Sequence, residues 1–506
     1  MSIENKNQTP VIDPELICGG MGVRISWWVM SKIVSMMGGL GVVSGTGLEI
    51  VYPRLLQDGD PGGHVRRAFT ELVRLQPALA APVWEIFDKY YIEGGRKPGT
   101  PYKPVPQCRL TRIENFRPGP DSFWELPREL QVLALAASFA EVWLAREGHN
   151  KPVGINFLRK VERPLPWALY GAILAGAAYV LVGAGSPDEM PSAINNLSKH
   201  EPASMSFKVY GARSDSGNFY LAVRPETLLG AAAPALPAPK FLAIVSSFGL
   251  ASALAGNPVT RPYGFVVEGS EAGGHSASPA KMRFDGAGQP LLVYTEADRP
   301  DIKAIAGIGL PFWLAGAYGS PGRLREARAL GASGIQFGTL GALSGQSGLP
   351  PALRSKVLKL LASGELKVNN ALISPTGFPF KVAQVPGTVS EAAVYQARHR
   401  LCDIGLLQVA YLGSDGKLGY RCPAEPVEAF VAKGGREQNT CSRVCLCNAL
   451  LAAAGVPQVH PDGYIEPPVI TLGENLSSAR ELLAKLPAGQ ETYSIGKALL
   501  YLRGAA

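Results

Sequence analysis

Glu268-Gly-Ser-Glu-Ala-Gly-Gly-His275 follows the short apolar run Tyr263-Gly-Phe-Val-Val267. That run is aromatic and β-branched, with Pro262 before it and glycines after it, so it reads as a buried strand. The acidic, Gly-rich turn therefore sits at the C-terminal end of a strand, where parallel α/β proteins bind ligands. Gly269, Gly273 and Gly274 let the main chain approach a ligand closely. His275 is the side chain of the turn best suited to move a proton near neutral pH. A histidine satisfied within its own loop is the plainer reading, and the rest of the chain decides between the two.

Outward from this stretch, the same rhythm repeats. Leu16-Ile-Cys18 runs into Gly19-Gly-Met-Gly22, a helical segment follows over 23–37, and Leu40-Gly-Val-Val-Ser44 closes on Gly45-Thr-Gly47. This is a strand, a Gly-rich turn, a helix and a strand, one βαβ unit. Its glycines do not match G-x-G-x-x-G and no acidic residue ends the second strand, which excludes a dinucleotide-binding Rossmann unit. Pro152-Val-Gly-Ile-Asn-Phe157, Tyr179-Val-Leu-Val182, Phe241-Leu-Ala-Ile-Val-Ser246, Pro311-Phe-Trp-Leu-Ala315 and Ile335-Gln-Phe-Gly-Thr339 read as further strands, with helices over 167–175 and 324–330. Eight strands, starting near 16, 40, 153, 179, 241, 263, 311 and 335, predict an α/β protein with a (β/α)8 barrel whose site lies at the strand C-termini. The loops Gly316-Ala-Tyr-Gly319 and Gly338-Thr339 follow strands seven and eight, the usual phosphate position of such barrels. Tight βα turns alone would use the same glycines.

The barrel is assigned to 10–52 and 151–345. Residues 53–150 break the rhythm with helical stretches near 63–92 and 125–147, an insertion or lid. A hairpin is expected around Gly217. Residues 346–506 read as a mainly helical C-terminal region, with amphipathic stretches over 353–361 and 478–486. Within it, Cys422, Cys441, Cys445 and Cys447 lack the C-x2-C spacing of structural zinc sites, so no metal is assigned. Lys433, Arg436 and Arg443 either meet an anionic substrate tail or form a solvated face.

The 506 residues carry a formal charge of +8 and are 46% hydrophobic. There is no dense Lys/Arg stripe with interleaved aromatics, which argues against nucleic-acid binding. The N-terminus, Met1-Ser-Ile-Glu-Asn-Lys, lacks a signal pattern, and no apolar run comfortably spans a membrane. A soluble, cytoplasmic protein is expected. Seven cysteines, an odd number, argue against a disulfide framework.

Gly19-Gly-Met-Gly22, Gly38-Gly-Leu-Gly-Val-Val-Ser44, Gly154-Ile-Asn156, Glu271-Ala-Gly-Gly-His275 and Gln336-Phe-Gly-Thr339 occur in the order seen in FMN-dependent nitronate monooxygenases, the 2-nitropropane dioxygenase family. The chain resembles that family over about residues 10–345. It is similar also to the flavin enoyl reductases of fatty-acid and trans-acyltransferase polyketide synthesis. The resemblance implies FMN as cofactor. Gly20, Met21 and Gly22 would line the flavin ring, Asn156 would hydrogen-bond it, and Gly316, Gly338 and Thr339 would hold the phosphate. Gly274, Ala317 and Gln336 complete the implied cofactor set, and His275 would face the substrate as the catalytic residue. Ala317 departs from the family's glycine pair, and Ser276-Ala277 departs from the usual x-Gly after the histidine. Two activities are implied: oxidation of alkyl nitronates with O2, or NAD(P)H-dependent reduction of an enoyl thioester. The first is favoured. The second brings an acyl carrier protein as partner; a homodimer is compatible with either.

Overall fold

The computed structural model describes residues 13–212, 217–230, 234–279, 281, 283–286 and 290–505. The N-terminal stretch used to exclude a signal, the barrel's first residues 10–12 and the hairpin tip 213–216 lie outside the described residues.

Eight strands close a parallel barrel: β1 Leu16–Cys18, β2 Leu40–Ser44, β3 Val153–Leu158, β4 Tyr179–Gly183, β5 Lys240–Val245, β6 Gly264–Glu268, β7 Phe312–Ala315 and β8 Gly334–Phe337. Each pairs in parallel with its neighbours in chain order, and β8 closes on β1 through Leu16 against Ile335. These are the eight strands and the (β/α)8 class expected from the sequence. Their apolar runs are continuous because both faces are covered. On β5, for example, Leu242 joins the barrel interior while Phe241, Ala243 and Val245 pack outward against the helices. Ile17, Leu40, Val42, Leu181, Val266 and Trp313 fill the interior, each wholly buried. It is a packed core, so a ligand must sit at one end rather than pass through.

The N-terminal end is plugged. Lys240 Nζ lies 2.7 Å from Asp13 Oδ1 and donates to the Tyr263 hydroxyl at 2.8 Å. Tyr263 and Tyr179 donate to the same carboxylate at 2.6 and 2.7 Å. The chemistry is therefore left to the other end.

The helices Trp28–Met36, Arg128–Arg146 and Leu165–Leu174 pack side by side outside the barrel. The sequence reading grouped 128–146 with the insertion; it lies against β2 and β3 in the helical ring. The segment before it carries helices His64–Leu75 and Ala80–Tyr90. Strands Ala203–Ser206 and Phe219–Val223 pair antiparallel on either side of Gly217. In the C-terminal region the amphipathic stretches form helices Pro351–Ser363 and Ser477–Ala484. Four strands join them, including the antiparallel pair β9 Val368–Ile373 and β10 Pro379–Ala383. All seven cysteines are free thiols. Among the described residues no helix is long and apolar enough to cross a membrane.

Candidate active site

The C-terminal ends of the strands open into a cavity of about 240 Å³. All eight strands or the loops that follow them contribute to its wall, as the barrel geometry requires. His275 and the whole implied cofactor set line it: Gly20, Met21, Gly22, Asn156, Gly274, Gly316, Ala317, Gln336, Gly338 and Thr339. They come from five different strand ends, up to 319 positions apart in the chain, so the fold alone brings them together.

Local packing explains several identities. At Gly20 an added Cβ would lie 2.3 Å from the Cβ of Asn156, so the first loop passes directly over β3. Gly316 takes φ 77°, and Ala317, where the family pattern has glycine, still takes φ 61°. The loop thus keeps its left-handed path at a strain of about 1–2 kcal/mol. At Gly338 an added Cβ would stand 3.4 Å from Met21 Sδ, in ordinary contact.

Three features of this cavity suit a flat, phosphate-bearing cofactor of the flavin kind. Glycine main chain at 20, 22, 316 and 338 leaves room for a flat ring and a phosphate against the backbone. Gln336 Oε1 and His275 Nε2 are buried without hydrogen-bond partners, although both residues border the cavity. Such atoms are costly unless something pairs with them. Thr339 Oγ1 accepts from the Gly473 N–H at 3.1 Å, which leaves its own proton free to donate to an anion. Among the described residues no Lys or Arg borders the cavity, so main-chain N–H groups and hydroxyls are its anion donors.

His275 departs from expectation in its protonation. Its pKa is pushed down to about 4 because burial penalises the imidazolium. The ring packs edge-on to Phe380, centroids 4.9 Å apart, and lies 6.5 Å from Phe378. It is a neutral imidazole at pH 7, able to accept or donate a hydrogen bond but not held as a cation.

The C-terminal region builds part of this site, through residues other than the basic ones singled out from the sequence. β10 pairs antiparallel with the short strand Gly274–His275, setting Lys381 opposite Gly274 and Phe380 opposite His275. Lys381 is fully buried and its Nζ lies 2.7 Å from Glu474 Oε1. The one available signal was a lysine inside the apolar run Phe378-Pro-Phe-Lys-Val-Ala383. Lys433 and Arg443 do not border the cavity: Lys433 pairs with Glu425 at 2.6 Å, and Arg443 donates to the Ser374 carbonyl at 2.9 Å. Arg436 is also outside it.

No family model matches the sequence, and no curated protein matches it. Solved structures do. FabK from Thermotoga maritima is 16% identical with a TM-score of 0.38, covering 74% of this chain and 72% of its own. Nitroalkane oxidase from Streptomyces ansochromogenes is 12% identical with a TM-score of 0.44, covering 97% and 95%. The enoyl reductase domain of MlnA from Bacillus amyloliquefaciens is 10% identical with a TM-score of 0.42, again covering 97% and 95%. A nitroalkane oxidase and an enoyl reductase domain are thus both among the structures this chain is similar to. Identities of 10–16% leave the chemistry to be read from the site itself.

Proposed function

We propose that this chain is an FMN-dependent oxidoreductase whose substrate reacts beside His275. The observation that carries this is one cavity at the strand C-termini where glycine loops from β1, β7 and β8 meet two unpaired buried polar atoms. When bound, the flavin supplies the electron transfer. The glycine loops hold and orient it, Thr339 and the main chain at Gly316 and Gly338 take the phosphate, and Gln336 satisfies a polar ring edge. His275, neutral and desolvated, orients the substrate and accepts a hydrogen-bonded proton rather than offering a positive charge.

The finer reading from the sequence motifs is oxidation of alkyl nitronates with O2. One observation favours the second reading, NAD(P)H-dependent reduction of an enoyl thioester. Leu158, Val161, Leu406, Leu407 and Leu450 line the same cavity, an apolar wall suited to an acyl chain. An acyl carrier protein would present that substrate.

An anaerobic visible spectrum separates the readings. Bleaching by an alkyl nitronate alone supports the monooxygenase; bleaching only by NADPH or NADH supports the reductase. No flavin absorption after adding FMN removes both. His275→Ala is expected to retain flavin and lose about 100-fold in turnover, the scale of one acid–base group; wild-type turnover refutes its role. Gly338→Val is expected to weaken FMN binding at least tenfold, because its extra methyls enter the cavity while its Cβ meets only ordinary contact with Met21. Fluorescence titration of the apoprotein reads this, and an unchanged Kd rejects the phosphate loop.

A further inference from the structure

A neutral His275 leaves a reaction at carbon without an obvious source of protons, and the same cavity contains a second acid. Glu268, the last residue of β6, lines it. Burial pushes its pKa up to about 7, opposed by the charge of Lys381. Among the described residues no side-chain hydrogen bond occupies its carboxylate. Lys381 lies on β10 behind the cavity wall, held there by the ladder to Gly274, with its side chain wholly buried. Its ammonium pairs with Glu474, 2.7 Å from its Nζ, and its charge acts on Glu268 through space. Glu474 is itself fixed by its N–H donating to the Glu271 carbonyl at 3.2 Å. The other titratable side chains lining this cavity are Glu271 and His275 on its own loop, Tyr318 after β7 and Cys447 from the C-terminal region; the flanking strands bring the uncharged Ile244 and Ala315.

We propose that Glu268 is the catalytic acid–base that exchanges a proton with the substrate carbon, and that Lys381, braced by Glu474, is the positioning charge that stabilises its carboxylate after transfer. The proposal rests on reading the cavity as the site of a flavin-dependent reaction next to an electron-withdrawing group. In the reducing direction, a hydride originating from NAD(P)H forms the C–H bond at the β-carbon, and the alkene electron pair moves toward the thioester as an enolate. The Glu268 O–H bond then breaks, its proton joins the α-carbon with that electron pair, and the carboxylate remains beside Lys381. With a nitroalkane, the carboxylate instead takes the α-proton and the C–H pair moves into the nitro group, giving the nitronate. A cavity that holds the acid half-protonated near neutral pH serves either direction.

Full-length, flavin-loaded protein tests this. Glu268→Gln is expected to keep the flavin spectrum, lose about 100-fold in kcat and lose the pH-profile limb near 7. Infrared difference spectra of the apoprotein are expected to show a protonated carboxyl band that titrates near pH 7 and is absent from Glu268→Gln. Lys381→Met is expected to move that titration upward. Because a buried lysine can be needed for folding, Glu474→Gln is the second variant; it leaves Lys381 to act on Glu268 alone and moves the titration downward. Wild-type kcat and pH profile in flavin-loaded Glu268→Gln overturn the proposal, as does a Glu268 band titrating near 4.5. A wild-type protein that binds no flavin sinks the functional reading and the proposal together, whereas retained flavin with an unaffected variant sinks the proposal alone.

Discussion

Replacing Arg398 by methionine is expected to cost about 3–5 kcal/mol, the penalty for leaving a buried carboxylate without its partner. The side chains of Arg398 and Glu466 are each 1% exposed. Arg398 Nε donates to Glu466 Oε1 at 2.8 Å and Nη1 donates to the Cys445 carbonyl at 2.8 Å. Tyr464 donates to the other carboxylate oxygen at 2.8 Å. The pair thus ties together three segments that the sequence separates, around 398, 445 and 466. Faster amide exchange in these segments and a lower urea midpoint would report the loss. Arg398→Met combined with Glu466→Met is expected to recover most of it, because an apolar pair leaves no charge behind. A double variant no better than the single one would show that hydrogen bonds to Cys445 and Tyr464, not the charge pair, hold this corner.

Such long-range pairings mark the limit of what the chain reveals by itself. The barrel was legible because each of its strands is covered on both faces and so appears as an unbroken apolar run, such as Phe241–Val245, with glycine where the loop must turn. The first loop, the His275 turn and the loop after β7 were legible because glycine is demanded where the backbone passes close over a neighbour, as Gly20 does over Asn156, or turns left-handed, as Gly316 does. What was not legible depends on partners about a hundred residues away. Pro379-Phe-Lys-Val-Ala383 carries a lysine at its centre, which in isolation reads as an exposed turn. It becomes a buried strand only because Gly274–His275 supplies its edge and Glu474 its counter-charge. Helix 128–146 was visible as a helix, but its place beside 28–36 and 165–174 follows from packing that no local period encodes. The protonation of His275 was likewise hidden, since Phe378 and Phe380 arrive from the C-terminal region.

Glu49→Gln is expected to leave stability nearly unchanged at low pH and to raise it by about 3 kcal/mol at pH 8. Glu49 lies in the first turn of helix Leu48–Gln57, 3% exposed, with Oε1 unpaired. Burial pushes its pKa from 4.5 up to about 7, against a weaker opposing pull from Arg163. A folded-state pKa above the unfolded value means that the native protein holds the proton more tightly. The stability from this site is therefore complete below pH 4.5 and is lost as pH rises through about 7. A gap of about 2.5 pH units, at 1.36 kcal/mol each, sets the size. Glutamine is neutral throughout and escapes the loss. His275 and Glu268 also titrate differently in the folded chain, His275 losing stability as pH falls from 6.5 toward 4 and Glu268 losing it as pH rises toward 7. Both are present in the parent and the variant, so they cancel in the difference between the two. Denaturation midpoints of both proteins at pH 5, 6, 7 and 8 measure it. A difference that grows steadily with pH identifies Glu49 as a buried acid forced to ionise, while one that stays flat means that solvent or a cation reaches its carboxylate in the native protein.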